Sequence, residues 1–157
     1  MKKLTPEEKN KIIDKLKEDF DTDEVEFHGY NRFVVREKYS QTIEKNEVFL
    51  FKDRLFDEEC NPITFNSEYD SIFMFIVGVA VVCIRRNIEI INGRIHQERK
   101  DGMIDINGKE LLPCIYDKIK VKLDGHVELT KDGHKKATSV FVITNGKFNW
   151  DEAIDWN

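Results

Sequence analysis

The pattern of apolar and polar residues begins with one helical segment. The apolar residues that fall on one face of a helix are Ile12, Ile13, Leu16 and Phe20, and charged residues occupy the other faces. Thr5 is a suitable N-cap, Pro6 suits the first helical position, and Glu8 completes a capping box. We therefore expect an amphipathic helix over about residues 6–20 that packs its apolar face on a β-layer.

After residue 24 the helical period is lost, and short strand-like runs follow. The runs are residues 25–27, 33–35, 48–51, 88–91, 103–106, 119–123, 126–130 and 140–144. Six Asn-Gly or Asp-Gly pairs, which favour tight turns, start at residues 92, 101, 107, 124, 132 and 145. The pattern predicts a mainly β (α+β) fold, with the N-terminal helix packed on antiparallel β-hairpin or meander units.

Two segments leave their structure open. Residues 36–47 could extend two strands around a loop or form a short helix. Residues 72–84 are apolar apart from Gly78, which suits a buried strand or a strand pair bent at Gly78. These 13 residues (84 − 72 + 1) are too few for a membrane span, which needs roughly 18. We expect no membrane association.

Length and charge limit the possible classes. The 157 residues suit a single domain, with the helix at about 6–20, a β-rich part at 25–146 and a short tail at 147–157. The net charge of −5 argues against a general nucleic-acid binder, which usually has a basic surface. Three cysteines, and an N-terminus without the apolar core of a signal peptide, predict free thiols in the cytoplasm.

An internal repeat connects the two halves of the β-rich part. The sequence Tyr-Asp-x-Ile occurs at 69–72 and at 116–119, and Gly78 and Gly125 are also 47 residues apart. Asp57 and Asp105 are 48 residues apart, so one residue is inserted or lost between the copies. A repeat of this length favours two degenerate β-units that stack on each other.

The second copy resembles the bacterial WG-repeat (KWG) family, best over residues 100–130. The residues that carry the resemblance are Asp105, Gly108, Pro113, Tyr116 and Asp117. The resemblance implies small antiparallel β-units used for interaction or scaffolding, and it supplies no catalytic residue. From their chemistry we expect Gly108 in a turn, Pro113 at a strand edge, the Tyr116 ring in the core and Asp117 in an Asx-type turn.

Catalytic and metal-binding motifs are missing from the sequence. His126 and His134 flank one predicted hairpin and could form a zinc site with Cys114, although none of the usual ligand spacings occurs. Burial should make Cys83 inert. Cys60 and Cys114 lie near predicted turns, where they could be accessible, but no base is identifiable and the sequence favours free structural thiols. We assign no catalytic residue, metal or cofactor.

Basic residues are concentrated in the second half of the chain, where residues 85–138 carry a net charge of +3. The candidates for an anion-binding surface are Arg85, Arg86, Arg94, Lys118, Lys120 and Lys122, with Arg99 and Lys100 between them. Such a surface could bind phosphate or an acidic protein. Lysines that protect a sheet edge from aggregation would explain the same pattern.

The C-terminal tail contains both tryptophans of the chain. Trp150, Asp151, Glu152 and Trp156 form a candidate partner-binding segment, because tryptophan is enriched at interface hot spots. Asn149 could cap a short helix there. The alternative is a tail that folds back and covers one end of the sheet, and the sequence favours neither reading.

The sequence as a whole favours a non-enzymatic module of a bacterial cytosolic protein that binds an unidentified protein partner. Its small size and acidity suggest the subclass of immunity or antitoxin-type proteins. One alternative is a small hydrolase that uses clustered carboxylates or histidines. Another is a phosphate or nucleic-acid binder that uses the basic stretch at 85–122. The sequence does not predict the oligomeric state.

Overall fold

The computed structural model describes residues 1–156 and starts with the predicted helix, α1 (Pro6–Phe20). The capping box is formed: the Glu8 amide donates to the Thr5 hydroxyl at 3.1 Å, and the Thr5 amide donates to the Glu8 carboxylate at 3.1 Å. These bonds satisfy two amides that a helix start leaves free. The expectation of an N-terminal amphipathic helix is confirmed.

Three four-stranded antiparallel sheets with the same meander order follow the helix. The first sheet contains β1 (Val25–Phe27), β2 (Phe33–Ile43), β3 (Asn46–Phe56) and β4 (Pro62–Ile63). The second contains β5 (Ser71–Ile72), β6 (Val79–Ile91), β7 (Arg94–Asp105) and β8 (Glu110–Tyr116). The third contains β9 (Lys118–Val121), β10 (His126–Lys131), β11 (His134–Ser139) and β12 (Ile154–Asp155). The expected mainly β fold with antiparallel pairing is confirmed.

The three sheets share one strand register. Their first two strands pair Val25 with Val35, Ile72 with Val82, and Ile119 with Leu129. Successive sheets are offset by 47 residues (72 − 25 = 119 − 72 = 47). The register of β6 and β7 shifts between Arg86 and Glu89, where β6 has a bulge. This bulge accommodates the extra residue that makes the separation of Asp57 and Asp105 one longer than 47.

A buried aspartate joins each sheet to the next. Asp53 on β3 accepts a hydrogen bond from the Ile72 amide in the second sheet at 2.9 Å. Asp101 on β7 accepts one from the Ile119 amide in the third sheet at 3.0 Å. Both carboxylates are almost completely buried, and each is paired with an arginine.

Three apolar layers separate the helix and the sheets. The first lies between α1 and the first sheet and includes Leu16, Phe33 and Phe56. The second lies between the first and second sheets and includes Val82. The third lies between the second and third sheets and includes Leu129. The molecule is therefore a stack in which each sheet contributes side chains to the layers beside it.

The two ambiguous segments are both resolved. Residues 36–47 continue β2 and β3 around a hairpin turn, in which Glu44 and Lys45 have positive φ. Residues 72–84 form a bent strand pair that turns at Val77 and Gly78, whose φ angles are 52° and 77°. No helix within residues 1–156 has the length and apolar character required to cross a membrane.

The expected strand at residues 140–144 is wrong, because these residues form a short helix, α2 (Val140–Thr144). Ser139 caps it by accepting a hydrogen bond from the Val142 amide at 3.2 Å. Val140 and Ile143 are three residues apart and both are buried, so the apolar run packs with helical spacing. The Asn-Gly pair after it ends the helix and does not form a hairpin.

The expected turn at Asp101-Gly102 is also wrong, because both residues lie within β7. A Cβ atom on Gly102 would lie 2.7 Å from the Leu112 carbonyl oxygen and 2.8 Å from the Cys114 Sγ atom. Glycine is therefore needed here for the close approach of β8 and not for a turn.

Candidate functional site

Two β-hairpins extend beyond the apolar layers and form the sides of a groove. Arm 1 is the outer part of the β2–β3 hairpin, residues 37–52, and arm 2 is the outer part of the β6–β7 hairpin, residues 85–100. Strands β2 and β3 are each 11 residues long, and β6 and β7 contain 13 and 12 residues. The corresponding strands of the third sheet, β10 and β11, contain only six residues each. The first two sheets therefore carry arms and the third does not.

The space between the arms, which we call the inter-arm groove, has a volume of about 490 Å³. Both arms, Arg36 at the base of arm 1, and the segment around β5 line it. The lining residues are Arg36, Tyr39, Phe49, Leu50, Phe51, Asp70, Ser71, Phe73, Arg85, Ile88, Ile95, Gln97 and Arg99. The groove thus combines aromatic and aliphatic side chains with three arginines and one aspartate.

Two of the three arginines are held by the buried aspartates. The Arg36 Nε and Nη2 atoms lie 3.0 and 3.3 Å from the Asp53 carboxylate oxygens. The Arg99 Nε and Nη2 atoms lie 2.7 and 3.4 Å from those of Asp101. These hydrogen bonds raise the pKa of both guanidinium groups, against the opposing effect of burial. Both pairs have the geometry of bidentate, charge-assisted bonds, so their charges are balanced locally.

The third arginine is different. The Arg85 side chain is half-buried, and among residues 1–156 no side chain forms a hydrogen bond or an ion pair with its guanidinium group. The neighbouring Asp70 carboxylate instead accepts a hydrogen bond from the Arg85 main-chain amide at 2.5 Å. Arg85 therefore brings an unpaired positive charge to the groove.

Several large apolar side chains of the groove are exposed to solvent. Phe49, Phe51, Phe73 and Ile95 expose 54%, 42%, 38% and 50% of their surface. Phe49 and Phe51 alternate along β3 and therefore lie on the same face of arm 1. The Arg99 guanidinium lies 4.9 Å from the centre of the Phe73 ring. Clustered exposed apolar side chains of this kind mark interaction surfaces.

The predicted anion-binding residues lie in two different sheets. Arg85 lines the groove, Arg86 is exposed beside it on β6, and Arg94 lies near the tip of arm 2. Lys118 and Lys120 are exposed on β9, the edge strand of the third sheet, and Lys122 forms an ion pair with Glu128 at 2.7 Å. The edge position fits the alternative that these lysines protect a sheet edge. Their role in anion binding stays a prediction.

The C-terminal tail folds back on the third sheet. Strand β12 pairs with β11, and the Trp156 amide donates a hydrogen bond to the Lys135 carbonyl at 3.1 Å. The Trp150 ring is half-buried, 5.8 Å from the Tyr116 ring, after a 3₁₀ turn (Trp150–Glu152) that Asn149 caps. The geometry matches the covering alternative, and Asp151 and Glu152 remain exposed. The partner-binding role of the tail stays a prediction.

The residues that carry the family resemblance have structural surroundings. Asp105 accepts hydrogen bonds from the Asn107 and Lys109 amides at 2.8 and 3.0 Å. Asp57, which follows β3, accepts the equivalent bonds from the Glu59 and Asn61 amides, both at 2.9 Å. Gly108 lies in this turn with φ 81°, and Pro113 lies in β8, an edge strand.

The Tyr116 ring is buried in the third apolar layer, and burial raises the pKa of its hydroxyl. The expected Asx-type turn at Asp117 is wrong. The Asp117 carboxylate instead accepts from the distant Asp132 amide at 2.9 Å and from the Lys100 ammonium group. Asp105 is the residue that forms such a turn.

The histidines and cysteines do not converge within residues 1–156. His126 and His134 lie at opposite ends of the β10–β11 hairpin, where they face Ser139 and Lys131, and residues 1–156 contain no cluster of side chains suited to a metal. Cys83 is buried, and burial raises its pKa as expected. Burial also raises the pKa of Cys60, and it raises the pKa of Cys114 to about 12. Both thiols are partly buried, which fits the favoured interpretation that they are structural free thiols.

Sequence reasoning identified Arg85 and Arg99 of the groove but missed Arg36 and the apolar residues. Phe49 and Phe51 belong to a short apolar run that reads as a buried strand. Phe73 belongs to the apolar segment 72–84, which we expected to be buried. The feature that indicates the groove is the length of the two hairpins, because their strands are longer than the strands of the third sheet.

Comparisons of the chain with protein-family models, with curated proteins and with solved structures give no match.

Proposed function

We propose that the chain is a non-enzymatic module that binds a protein partner, and that the inter-arm groove is its contact surface. The observation that carries the proposal is the clustering of half-exposed Phe49, Phe51, Phe73 and Ile95 beside arginines in one open groove. Aromatic residues and arginine are enriched at protein interfaces and dominate their hot spots.

The groove supports binding better than catalysis. Asp70 is the carboxylate that lines it, and this carboxylate accepts a hydrogen bond from a main-chain amide. Acid–base catalysis needs at least two titratable groups that converge on a reacting atom. A guanidinium group keeps its proton near neutral pH, so arginine does not supply the second such group.

Within this class, the small size and the net charge of −5 favour a role of the immunity or antitoxin type in a bacterial cytosol. Such a protein acts by covering a surface of its partner, and that requires only an interface.

The experiment that tests the proposal is capture of partners from a lysate of the organism that encodes the chain. The bait proteins are wild type, the double variant Phe49→Ser/Phe51→Ser and a control double variant, Phe141→Ser/Ile154→Ser. The control removes two exposed apolar side chains, 73% and 76% exposed, that do not line the groove. We expect one stoichiometric partner on the wild type and the control, and its loss from the groove variant.

Retention of that partner by a folded groove variant would contradict the proposed surface. A third bait, Trp150→Ala/Trp156→Ala, tests the tail as the competing surface. Selective loss of the partner from this bait, with circular dichroism unchanged, would transfer the interface from the groove to the tail.

A further inference from the structure

We infer that the inter-arm groove binds an extended segment of its protein partner that presents one carboxylate with large apolar side chains beside it. The inference rests on the proposed function and specifies the chemistry of the partner. The carboxylate would pair with Arg85, and the apolar side chains would cover Phe49, Phe51 and Ile95.

The charge of the groove calls for a single anionic group. Asp53 and Asp101 balance Arg36 and Arg99 through bidentate hydrogen bonds. Arg85 is the arginine of the groove without an ion-pair partner among the residues that the structure describes. Since a half-buried guanidinium group loses part of its hydration, a carboxylate that forms a bidentate pair with it is the ligand it fits best.

The position of Arg85 in the sheet strengthens this argument. Arg85 on β6 lies directly opposite Arg99 on β7. Like charges at directly opposite positions destabilise a β-sheet. Asp101 compensates the charge of Arg99, but no carboxylate among the described residues forms an ion pair with the Arg85 guanidinium group, because Asp70 is bonded to the Arg85 main-chain amide. A ligand carboxylate at this position would remove an unfavourable interaction as well as form a new one.

The shape of the groove favours an extended segment over a small molecule. Small-molecule sites usually enclose most of the ligand surface. Here the apolar lining stays 38–54% exposed at Phe49, Phe51, Phe73 and Ile95, so the groove is open along the two arms. A peptide chain laid between the arms would cover these side chains along its length.

The same charges argue against a nucleic acid as the occupant. Phosphate backbones bind where several positive charges remain unbalanced. Three arginines line the groove, but Asp53 and Asp101 form ion pairs with two of them. The Asp70 carboxylate also lines the groove, and the whole chain carries a net charge of −5. One free guanidinium group suits one carboxylate and does not suit a polyanion.

Selection from a phage-displayed library of random peptides, about twelve residues long, tests the inference. The targets are wild type, Arg85→Glu and Arg86→Glu. Arg86 is the neighbour of Arg85 on β6 but does not line the groove, so this control makes the same charge change on the same strand. On wild type and on the control we expect enriched peptides that contain Asp or Glu next to Phe, Leu, Ile or Trp.

On Arg85→Glu we expect this acidic preference to disappear and Lys or Arg to replace it. The best wild-type peptide, made with a fluorescent label, should bind Arg85→Glu at least about tenfold more weakly by fluorescence anisotropy. Thermal melting of the variants verifies that they are folded. If Arg85→Glu fails to fold, Arg85→Gln takes its place, with the same loss of acidic preference expected.

The inference is overturned if wild type and Arg85→Glu select the same peptides, or if wild type enriches none. It is also overturned if a single-stranded oligonucleotide of fifteen thymidines binds the groove more tightly than the best peptide. These results leave the proposed function standing when lysate capture still depends on Phe49 and Phe51. Loss of that dependence would remove the proposed function as well.

Discussion

At the scale of single residues, the buried aspartates at the junctions of the sheets have the most constrained environment. Asp101 is 1% exposed, and its carboxylate accepts hydrogen bonds from the Arg99 side chain and from the Ile119 amide. Asp53 makes the equivalent bonds to Arg36 and to the Ile72 amide. Each carboxylate thus satisfies an amide of the next sheet that has no other acceptor in the strand pairing.

Replacing one of these aspartates should destabilise the protein clearly. Asp101→Ala leaves the Ile119 amide buried without an acceptor, which costs about 1–3 kcal/mol of the free energy of unfolding. Urea denaturation followed by circular dichroism measures the change. Asp124→Ala is the matched control, because Asp124 also accepts a main-chain amide but lies in an exposed turn. Equal midpoints for Asp101→Ala and wild type would refute this role.

Arg85 and Arg99 lie opposite each other on arm 2, and replacing Arg85 should not lower the stability of the protein as the replacement of Asp101 does. Arg85→Gln removes a like charge opposite Arg99, so we expect the free energy of unfolding to stay unchanged or to rise by about 0.2–1 kcal/mol. Arg86→Gln is the control, because Arg86 lies opposite Glu98 and its loss should lower stability by a similar amount. Chemical denaturation of both variants at low salt gives the two signs. A clear loss of stability in Arg85→Gln would show that Arg85 serves the fold.

At the scale of elements, helix α1 depends on its N-cap. Thr5→Ala removes the hydroxyl that accepts a hydrogen bond from the Glu8 amide. Such replacements typically lower the free energy of unfolding by about 1 kcal/mol. The first apolar layer should loosen with the helix, because Leu16 of α1 is completely buried in it. Hydrogen exchange of the α1 amides in Thr5→Ala, compared with wild type and with Thr5→Ser, measures the effect. Thr5→Ser keeps a hydroxyl and should behave like wild type.

The same cap predicts a dependence on pH. Hydrogen bonds from the Thr5 amide and hydroxyl lower the pKa of Glu8 in the folded protein below its ordinary value of 4.5. The contribution of ionised Glu8 is therefore present above about pH 4.5 and is lost as the pH falls through the lowered value. Glu8→Gln keeps an acceptor at this position and should lack this dependence. NMR titration of the Glu8 carboxyl carbon gives its pKa, and urea denaturation of wild type and Glu8→Gln across this pH range gives the dependence of stability.

The elements also show what the sequence can predict. Helix α1 was predictable because its cap, its first proline and its apolar face all lie within one short segment. Helix α2 was not, because five apolar or β-branched residues read as a strand until the packing of Val140 and Ile143 is known. Asp101-Gly102 has the sequence of a turn, but it lies within β7, where glycine allows the close approach of β8. Local signals therefore failed where a distant strand determines the structure.

The inter-arm groove lies at the limit of such reasoning. Arg85 and Arg99 could be identified as basic residues. That Arg99 has an ion-pair partner and Arg85 has none depends on the buried Asp101, whose position the sequence does not show. Phe49 and Phe51 come from a different sheet, and sequence spacing does not show that they face Ile95 across the groove. A site built from two hairpins becomes visible only when both are placed in the stack.

At the scale of the whole molecule, the stacking of the sheets determines how the protein should unfold. The first and second sheets each contribute to two apolar layers and the third sheet to one, and Asp53 and Asp101 connect adjacent sheets by hydrogen bonds. Stacked units without such coupling can unfold one after another. Here the second sheet lies between two layers, so its loss would expose both of them. We therefore expect one cooperative unfolding transition.

Two core substitutions at opposite ends of the stack test this coupling. Leu16 lies in the first layer and Leu129 in the third, and both are completely buried. Leu16→Ala and Leu129→Ala should each lower the free energy of unfolding by about 2–5 kcal/mol. The fluorescence of Trp150 and Trp156 reports on the third sheet, on which both residues lie, and far-ultraviolet circular dichroism includes α1. If the stack is one cooperative unit, the two signals should shift together in both variants. An early loss of helix signal in Leu16→Ala, with the tryptophan transition unchanged, would show that the first layer unfolds independently of the third.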